Sequence, residues 1–351
     1  MLLSRNEFKA AVDAVTPFSP TRTTMPILTH VKVESTGERV IFTASNTDSQ
    51  IQYWIDCAGE KFAACIDASA LKKFAQFCDG EVSFTVKSKK AVLEFGDTKT
   101  RLNTLEADQF PELHMAEKVI TEIEWAPLAD KIAFATQFCG VNAQVPAAQC
   151  VQIKSTGTQI EVFATDTKSM GASIVNHIAP EFGICIPRDT ACRMVGNFKS
   201  MVVREEQVEL RGANSIALFK LAVAKPLQVS KFWQRTYTNK GTISRKSLLD
   251  AINFTSSFAS SAAKIRPQIV ISAGEQCSVK LTGSTDNEAT APFKYQGDSV
   301  TFGAYPDDFG SFLKSVEADE IGIEFDQADL KTTAIRLTGG DRIICTMPVR
   351  I

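Results

Sequence analysis

The sequence predicts an α+β fold made of three similar domains in tandem. A helix-like run closing on phenylalanine recurs at 8–18, 128–138 and 248–258, so that Phe18, Phe138 and Phe258 stand 120 residues apart. Each run is followed by strand-like text ending in Thr-Asp, at Thr47-Asp48, Thr165-Asp166 and Thr285-Asp286. A second helical pattern then follows, at 71–77, 191–198 and 309–316. So long a period is a whole domain, well beyond the unit of a solenoid or propeller. The 351 residues hold three such domains, with expected boundaries 1–118, 119–240 and 241–351.

In the first domain Ser4-Arg5-Asn6-Glu7 has capping-box form, with Ser at the N-cap and Glu three residues on. Behind it Phe8, Ala11, Val12 and Val15 share one helical stripe, with Arg5, Lys9 and Asp13 opposite. Strands at 31–34 and 40–44 flank the turn residues Ser35-Thr36-Gly37-Glu38. A second helix at 68–77 turns Leu71, Phe74 and Ala75 inward and Lys72, Lys73 and Gln76 outward. Strands at 82–86, 91–95 and 101–105 close the domain. The second domain repeats the order with helices at 127–138 and 188–199 and strands at 151–153, 160–164 and 202–223. The third has helices at 244–258 and 307–316, strands at 269–271 and 279–282, and further strands from 321 onward. Polar text near 115–124 and 230–242 is expected to form linkers. Each domain thus holds two one-faced helices and enough alternating strands for one sheet, a layered α+β design.

Composition narrows the class. Hydrophobic content of 44% with 22% charged residues belongs to a globular protein. No apolar stretch behind a basic start and no membrane-length apolar run is present, so a cytoplasmic location and no membrane partner are expected. Nine scattered cysteines without a CxxC pair read as reduced, mostly buried thiols and not as a zinc site. A net charge of −2 argues against coating nucleic acid with the whole surface, yet leaves room for one basic face.

No constellation of convergent, reactive groups can be assembled. His30, His114 and His177 lie in unrelated contexts, and no glycine-rich phosphate loop occurs. Thr338-Gly339-Gly340-Asp341 reads as a hairpin turn, and Asp307-Asp308 as carboxylates at a helix start. No catalytic residue, metal or cofactor is expected. The solvent sides of the helices carry Arg5, Lys9, Lys72, Lys73, Lys131, Arg193, Lys199, Arg245, Lys246 and Lys314. Ordinary solvated side chains explain each one equally well, because Asp13, Asp130 and Asp250 share those helices. The bias gains meaning only if the helices face one way.

Several segments carry a resemblance. Thr24-Met25-Pro26-Ile27-Leu28-Thr29-His30-Val31, then Phe42-Thr43-Ala44-Ser45-Asn46-Thr47-Asp48, resembles the first-domain text of bacterial replicative sliding clamps, the β subunit of DNA polymerase III. So do the segments 104–113 and 135–138, the second-domain Ala164-Thr165-Asp166, and the tail Met347-Pro348-Val349-Arg350-Ile351. The resemblance implies a clamp fold: a head-to-tail homodimeric ring with sheets outside and helices lining the hole. It implies double-stranded DNA as a sequence-independent partner, faced by Arg5, Lys9, Arg22, Lys72, Lys73, Arg193, Lys199, Arg245, Lys246 and Lys314. It also implies that a DNA polymerase and a clamp loader dock through short apolar peptide motifs. Their pocket would use Thr165, Thr167, Lys168, Ser169 and Met170 of domain two with Ile265, Ile344, Met347, Pro348, Val349 and Arg350 of domain three. Thr100, Leu102 and Phe258 would form the dimer contact. Two departures stand out. The family's Gly-His-Arg-Leu is Thr167-Lys168-Ser169-Met170 here, and its paired tyrosines are replaced near Val145-Pro146. The alternative reading is a multidomain scaffold that does not encircle DNA.

Overall fold

Strand pairing crosses the repeat boundaries and divides the chain into two compact units, 1–126 with 192–221, and 127–191 with 222–351. The computed structural model describes residues 1–87, 89–259, 268–274, 276–281, 287–329 and 333–349.

The first repeat contains β1 (Leu2–Leu3), α1 (Arg5–Val15), β2 (His30–Ser35), β3 (Arg39–Ser45), β4 (Ser49–Asp56), β5 (Phe62–Asp67), α2 (Ala68–Phe77), β6 (Val82–Lys87), β7 (Lys90–Phe95) and β8 (Thr98–Leu105). The second contains β9 (Val119–Glu124), α3 (Ala126–Thr136), β10 (Cys150–Ser155), β11 (Gln159–Thr165), β12 (Ser169–Asn176), β13 (Phe182–Pro187), α4 (Arg188–Ala191), β14 (Phe198–Arg204), β15 (Gln207–Gly212) and β16 (Ser215–Lys220). A one-turn helix, α5 (Ser230–Trp233), precedes the third repeat. That repeat holds β17 (Asn239–Ser244), α6 (Arg245–Ser257), β18 (Ile269–Ala273), β19 (Gln276–Leu281), β20 (Glu288–Tyr295), β21 (Val300–Ala304), α7 (Pro306–Ser315), β22 (Glu320–Phe325), β23 (Ile335–Gly339) and β24 (Arg342–Thr346).

Each unit is built on one large antiparallel sheet. The first runs β1-β6-β7-β8-β5-β2-β3-β4-β16-β15-β14-β9, the second β13-β10-β11-β12-β24-β23-β22-β17-β20-β19-β18-β21. The middle repeat therefore contributes strands to both sheets.

Local chemistry explains the helices that carry the surfaces of interest. Ser4 caps α1 by accepting from the Glu7 N–H at 3.3 Å, and Phe8, Ala11, Val12 and Val15 are wholly buried. Phe8 meets Phe42 and Phe74 edge-on, at 6.2 and 5.9 Å, fixing α1 against both the sheet and α2. Asp67 caps α2, leaving Lys72 and Lys73 exposed. In the second unit Leu248, Ala251 and Ile252 of α6 and Phe309, Phe312 and Leu313 of α7 fill the equivalent layer.

Three expectations are corrected, and the tail finds its place. The helix expected at 188–199 is a single turn, α4, and Lys199 lies on strand β14. Gly196 adopts φ +140°, outside the helical region, and Gly196-Asn197 are poor helix formers, so the turn does not propagate. The expected linkers are partly sheet, because β9 pairs with β14 and β17 pairs with β22 and β20. The tail is tied down: Met347 N–H donates to Lys168 at 2.9 Å and Val349 N–H to Gly303 at 2.9 Å. Finally, the Thr-Asp recurrence is out of step by two residues. The shared turn is Ser45-Asn46-Thr47 in one repeat and Thr165-Asp166-Thr167 in the next. Asn46 and Asp166 each accept two backbone N–H groups through Oδ1, while Thr47 and Thr167 adopt left-handed φ of 75° and 79°. Thr285-Asp286 lies outside the described residues.

Candidate partner-docking, DNA-facing and closing surfaces

The residues expected to form the peptide pocket separate onto the two faces of the second sheet. On one face Met170 and Cys345 join Phe163, Ala172, Trp233 and Ala334 in a buried apolar cluster, against which Ile343 and Met347 pack. On the other face Ser169 donates to the Asp308 carboxylate of α7 at 2.5 Å and lies 2.8 Å from the Thr346 hydroxyl. Ile344 is fully buried and belongs to this second face by strand alternation. Thr165 is also buried, bonding its hydroxyl to the Ser169 carbonyl at 2.8 Å. Thr167 and Lys168 are exposed, whereas Met347, Pro348 and Val349 are half-buried. Ile265 and Arg350 lie outside the described residues. Phe163 and Trp233 were not expected in this cluster. Trp233 sits in text that reads as a polar linker, so no periodicity announces it.

Arg5, Lys9, Arg22, Lys72, Lys73, Lys199, Lys246 and Lys314 are exposed. Arg5 pairs with Asp79 at 3.1 Å, but both side chains are well exposed, so the pair is worth little. Arg245 is half-buried and donates to the Leu313 carbonyl at 3.2 Å, which joins α6 to the end of α7. Arg193 is half-buried in the turn after α4. Lys131 of α3 is bound between Asp130 at 2.9 Å and Asp341 at 2.7 Å. Burial alone would lower its pKa, but those two carboxylates raise it above the ordinary lysine value.

The edges follow a rule visible in the pairings. β4 of the first repeat pairs with β16 of the second, and β12 of the second pairs with β24 of the third. The next members of this series are β20 and β8. β20 pairs with β19 over 288–292 and reaches β17 at 293–295, and among the described residues no strand pairs with the other edge of 288–292. β8 pairs with β7 over 98–103 and reaches β5 at Thr104 and Leu105, and among the described residues no strand pairs with the other edge of 98–103.

The phenylalanines obey the same rule. Phe134 and Phe138 stack edge-on at 5.2 Å and are buried, with Arg342 of the third repeat 5.2 Å above the Phe134 ring. Phe18 is buried 5.7 Å from Phe219, the fifth residue of β16. Phe254 and Phe258 form the same edge-on pair at 5.1 Å, yet are 50% and 49% exposed. Leu102, the fifth residue of β8 as Phe219 is of β16, is half-buried.

Among the described residues no group of three or more His, Cys, Asp or Glu is placed to hold a metal ion. Burial pushes the Cys150 thiol up to about 11 and those of Cys185, Cys277 and Cys345 up to about 12, which makes poor nucleophiles. Among the described residues no helix is long and apolar enough to cross a membrane.

Comparison with known proteins agrees with this architecture. Residues 1–114 match the family model described as DNA polymerase III beta subunit, N-terminal domain. No curated protein sequence matches the chain. Solved structures match it end to end. The DNA polymerase sliding clamp from Bacillus subtilis is 19% identical with a TM-score of 0.89, covering 100% of this chain and 98% of that one. A sliding clamp from Pseudomonas aeruginosa bound to griselimycin is 14% identical, also at 0.89, covering 100% and 99%. The polymerase III beta subunit from Thermotoga maritima is 16% identical at 0.86, covering 100% and 99%. These likenesses establish the fold along the whole chain.

Proposed function

We propose that this chain is a member of the DNA polymerase III β-subunit family and works as a sliding clamp, a processivity factor that encircles duplex DNA and tethers a polymerase to it. The observation that carries the reading is the pair of open edges. Strand β4 is covered by the next repeat's β16 and β12 by the next repeat's β24; β20 and β8 are the members left over. Joining β20 of one copy to β8 of another extends the same rule, and doing so at both ends closes two chains into a head-to-tail ring. Leu102 of one copy would then cover Phe258 of its partner as Phe219 covers Phe18 within the chain. Thr100 lies on the same open stretch of β8.

A closed ring leaves duplex DNA only by opening, so retention needs no tight contact. The basic side chains of α1, α2, α6 and α7 meet phosphates, which read no sequence and permit sliding. Arg22, Arg193 and Lys199 add charge from loop, turn and strand. The polymerase gains effective concentration, and no bond is made or broken. A polymerase and a loader dock through apolar peptide segments on the sheet face carrying Met170 and Met347, with the exposed Thr167 and Lys168 at the rim. This work belongs in the cytoplasm. The deciding experiment places the protein on nicked circular DNA and then linearises the DNA. Retention on the circle with run-off from the linear form is expected. Equal dissociation from both forms would favour a scaffold that does not encircle DNA.

A further inference from the structure

The apolar face that carries Met170 and Met347 is already filled by the chain itself. Between β16 and β17 the backbone is pinned at several places, among them the Trp233 and Arg235 carbonyls, which both accept from Arg336. Leu227 N–H donates to the buried Gln152 side chain at 2.7 Å, and Asp326 receives Arg235 at 2.7 Å and the Thr238 N–H at 2.8 Å. Between these pins α5 inserts Trp233, 5% exposed, with its ring 5.5 Å from that of Phe163. The insertion is weakly built in two respects. α5 has no side chain capping its start, and the buried Trp233 Nε1–H has no partner among the described residues. An unpaired buried donor gives back part of what ring burial contributes. Phe232 beside it remains 41% exposed.

We infer that Trp233 is a resident occupant of the docking site, and that an apolar partner peptide binds by taking the place of its indole. This rests on the docking reading above. The pins hold the backbone of 228–234 over the sheet, so the ring leaves by side-chain rotation and returns when the partner goes. Peptide affinity is then reduced by the fraction of molecules with the ring out.

The test uses full-length protein carrying Trp54→Phe and Trp125→Phe, so that Trp233 is the sole tryptophan reporter, and a synthetic nonapeptide with leucine and phenylalanine anchors. Binding should make Trp233 accessible to acrylamide quenching, and adding Trp233→Ala should tighten binding about tenfold. Binding that leaves Trp233 shielded, with no tightening in Trp233→Ala, overturns the inference and leaves the docking reading intact. Absence of binding to every variant overturns the docking reading itself, and the inference with it. The quenching measurement needs no change at position 233, so it decides the matter even if Trp233→Ala does not fold.

Discussion

At the scale of single residues, two carboxylates do work that apolar patterning does not reveal. Asp166 accepts the N–H groups of Lys168 and Ser169 at 2.9 and 2.7 Å, which holds Thr167 in a left-handed conformation unfavourable for a β-branched residue. Asp166→Ala should cost about 1–3 kcal/mol in urea denaturation, whereas Asp166→Asn should keep most of that stability. Equal losses from both would mean that charge, and not the acceptor oxygen, holds the turn. Asp326 is a second case. Its burial would raise the carboxyl, but hydrogen bonds from Thr238 and Arg235 and the Arg235 charge bring it below the ordinary aspartate value. A native pKa below the unfolded one stabilises above the unfolded value and loses that contribution as pH falls through the native one. Asp326→Asn should therefore be less stable than the parent at pH 7, and the gap should close below about pH 4, near the unfolded aspartate pKa. A gap that is constant with pH would exclude ionisation as its source.

At the scale of elements, the helices were legible wherever an apolar stripe coincided with a cap. Ser4 before Phe8 and Asp67 before Leu71 announce α1 and α2, and both form. Text alone failed where a tertiary feature decided. The stripe through Met194 and Phe198 suggests a helix, but Gly196 turns the chain into β14, which pairs with β9 and β15. Likewise β9, β17 and Trp233 lie in polar text, and only distant partners make strands or core of them. The residues that the resemblance assigns to docking lie on neighbouring strands, but they mix two sheet faces, because successive residues of a strand alternate. The helix surfaces carry a testable consequence. Lys72 and Lys73 on α2 and Lys314 on α7 are exposed, so replacing all three with Ala should leave folding intact. The slope of DNA affinity against salt should flatten by about 0.9 per lost phosphate contact. An unchanged slope would remove these helices from the DNA-facing surface. The tail gives another. Deleting 347–351 removes Met347 from the apolar cluster and the Val349 bridge to Gly303. Polymerase stimulation should be lost while the ring remains dimeric on DNA, and normal stimulation would place docking elsewhere.

At the scale of the whole molecule, the internal repeat supplies its own control for ring closure. Phe134 and Phe138 show what a phenylalanine pair does when the following repeat is present: both are buried. Phe254 and Phe258 have the same geometry, but half of each faces solvent. Exposed neighbouring rings beside an open strand edge favour association, since closure buries apolar surface and completes a ladder in one step. Leu102 is the residue that the repeat aligns with Phe219, so it should meet Phe258 of the partner. Leu102→Asp would place an unpaired charge in that contact while leaving the ladder between β7 and β8 untouched. The cost should be about 3–5 kcal/mol per contact, on the order of a thousandfold in affinity. Sedimentation should then show folded monomer at concentrations where the parent is dimeric, and the variant should no longer be retained on circular DNA. Phe258→Asp should act in the same way from the other side of the contact. A full dimer in both variants would mean that the ring closes through other edges, and that the order of pairing within the chain does not extend between chains.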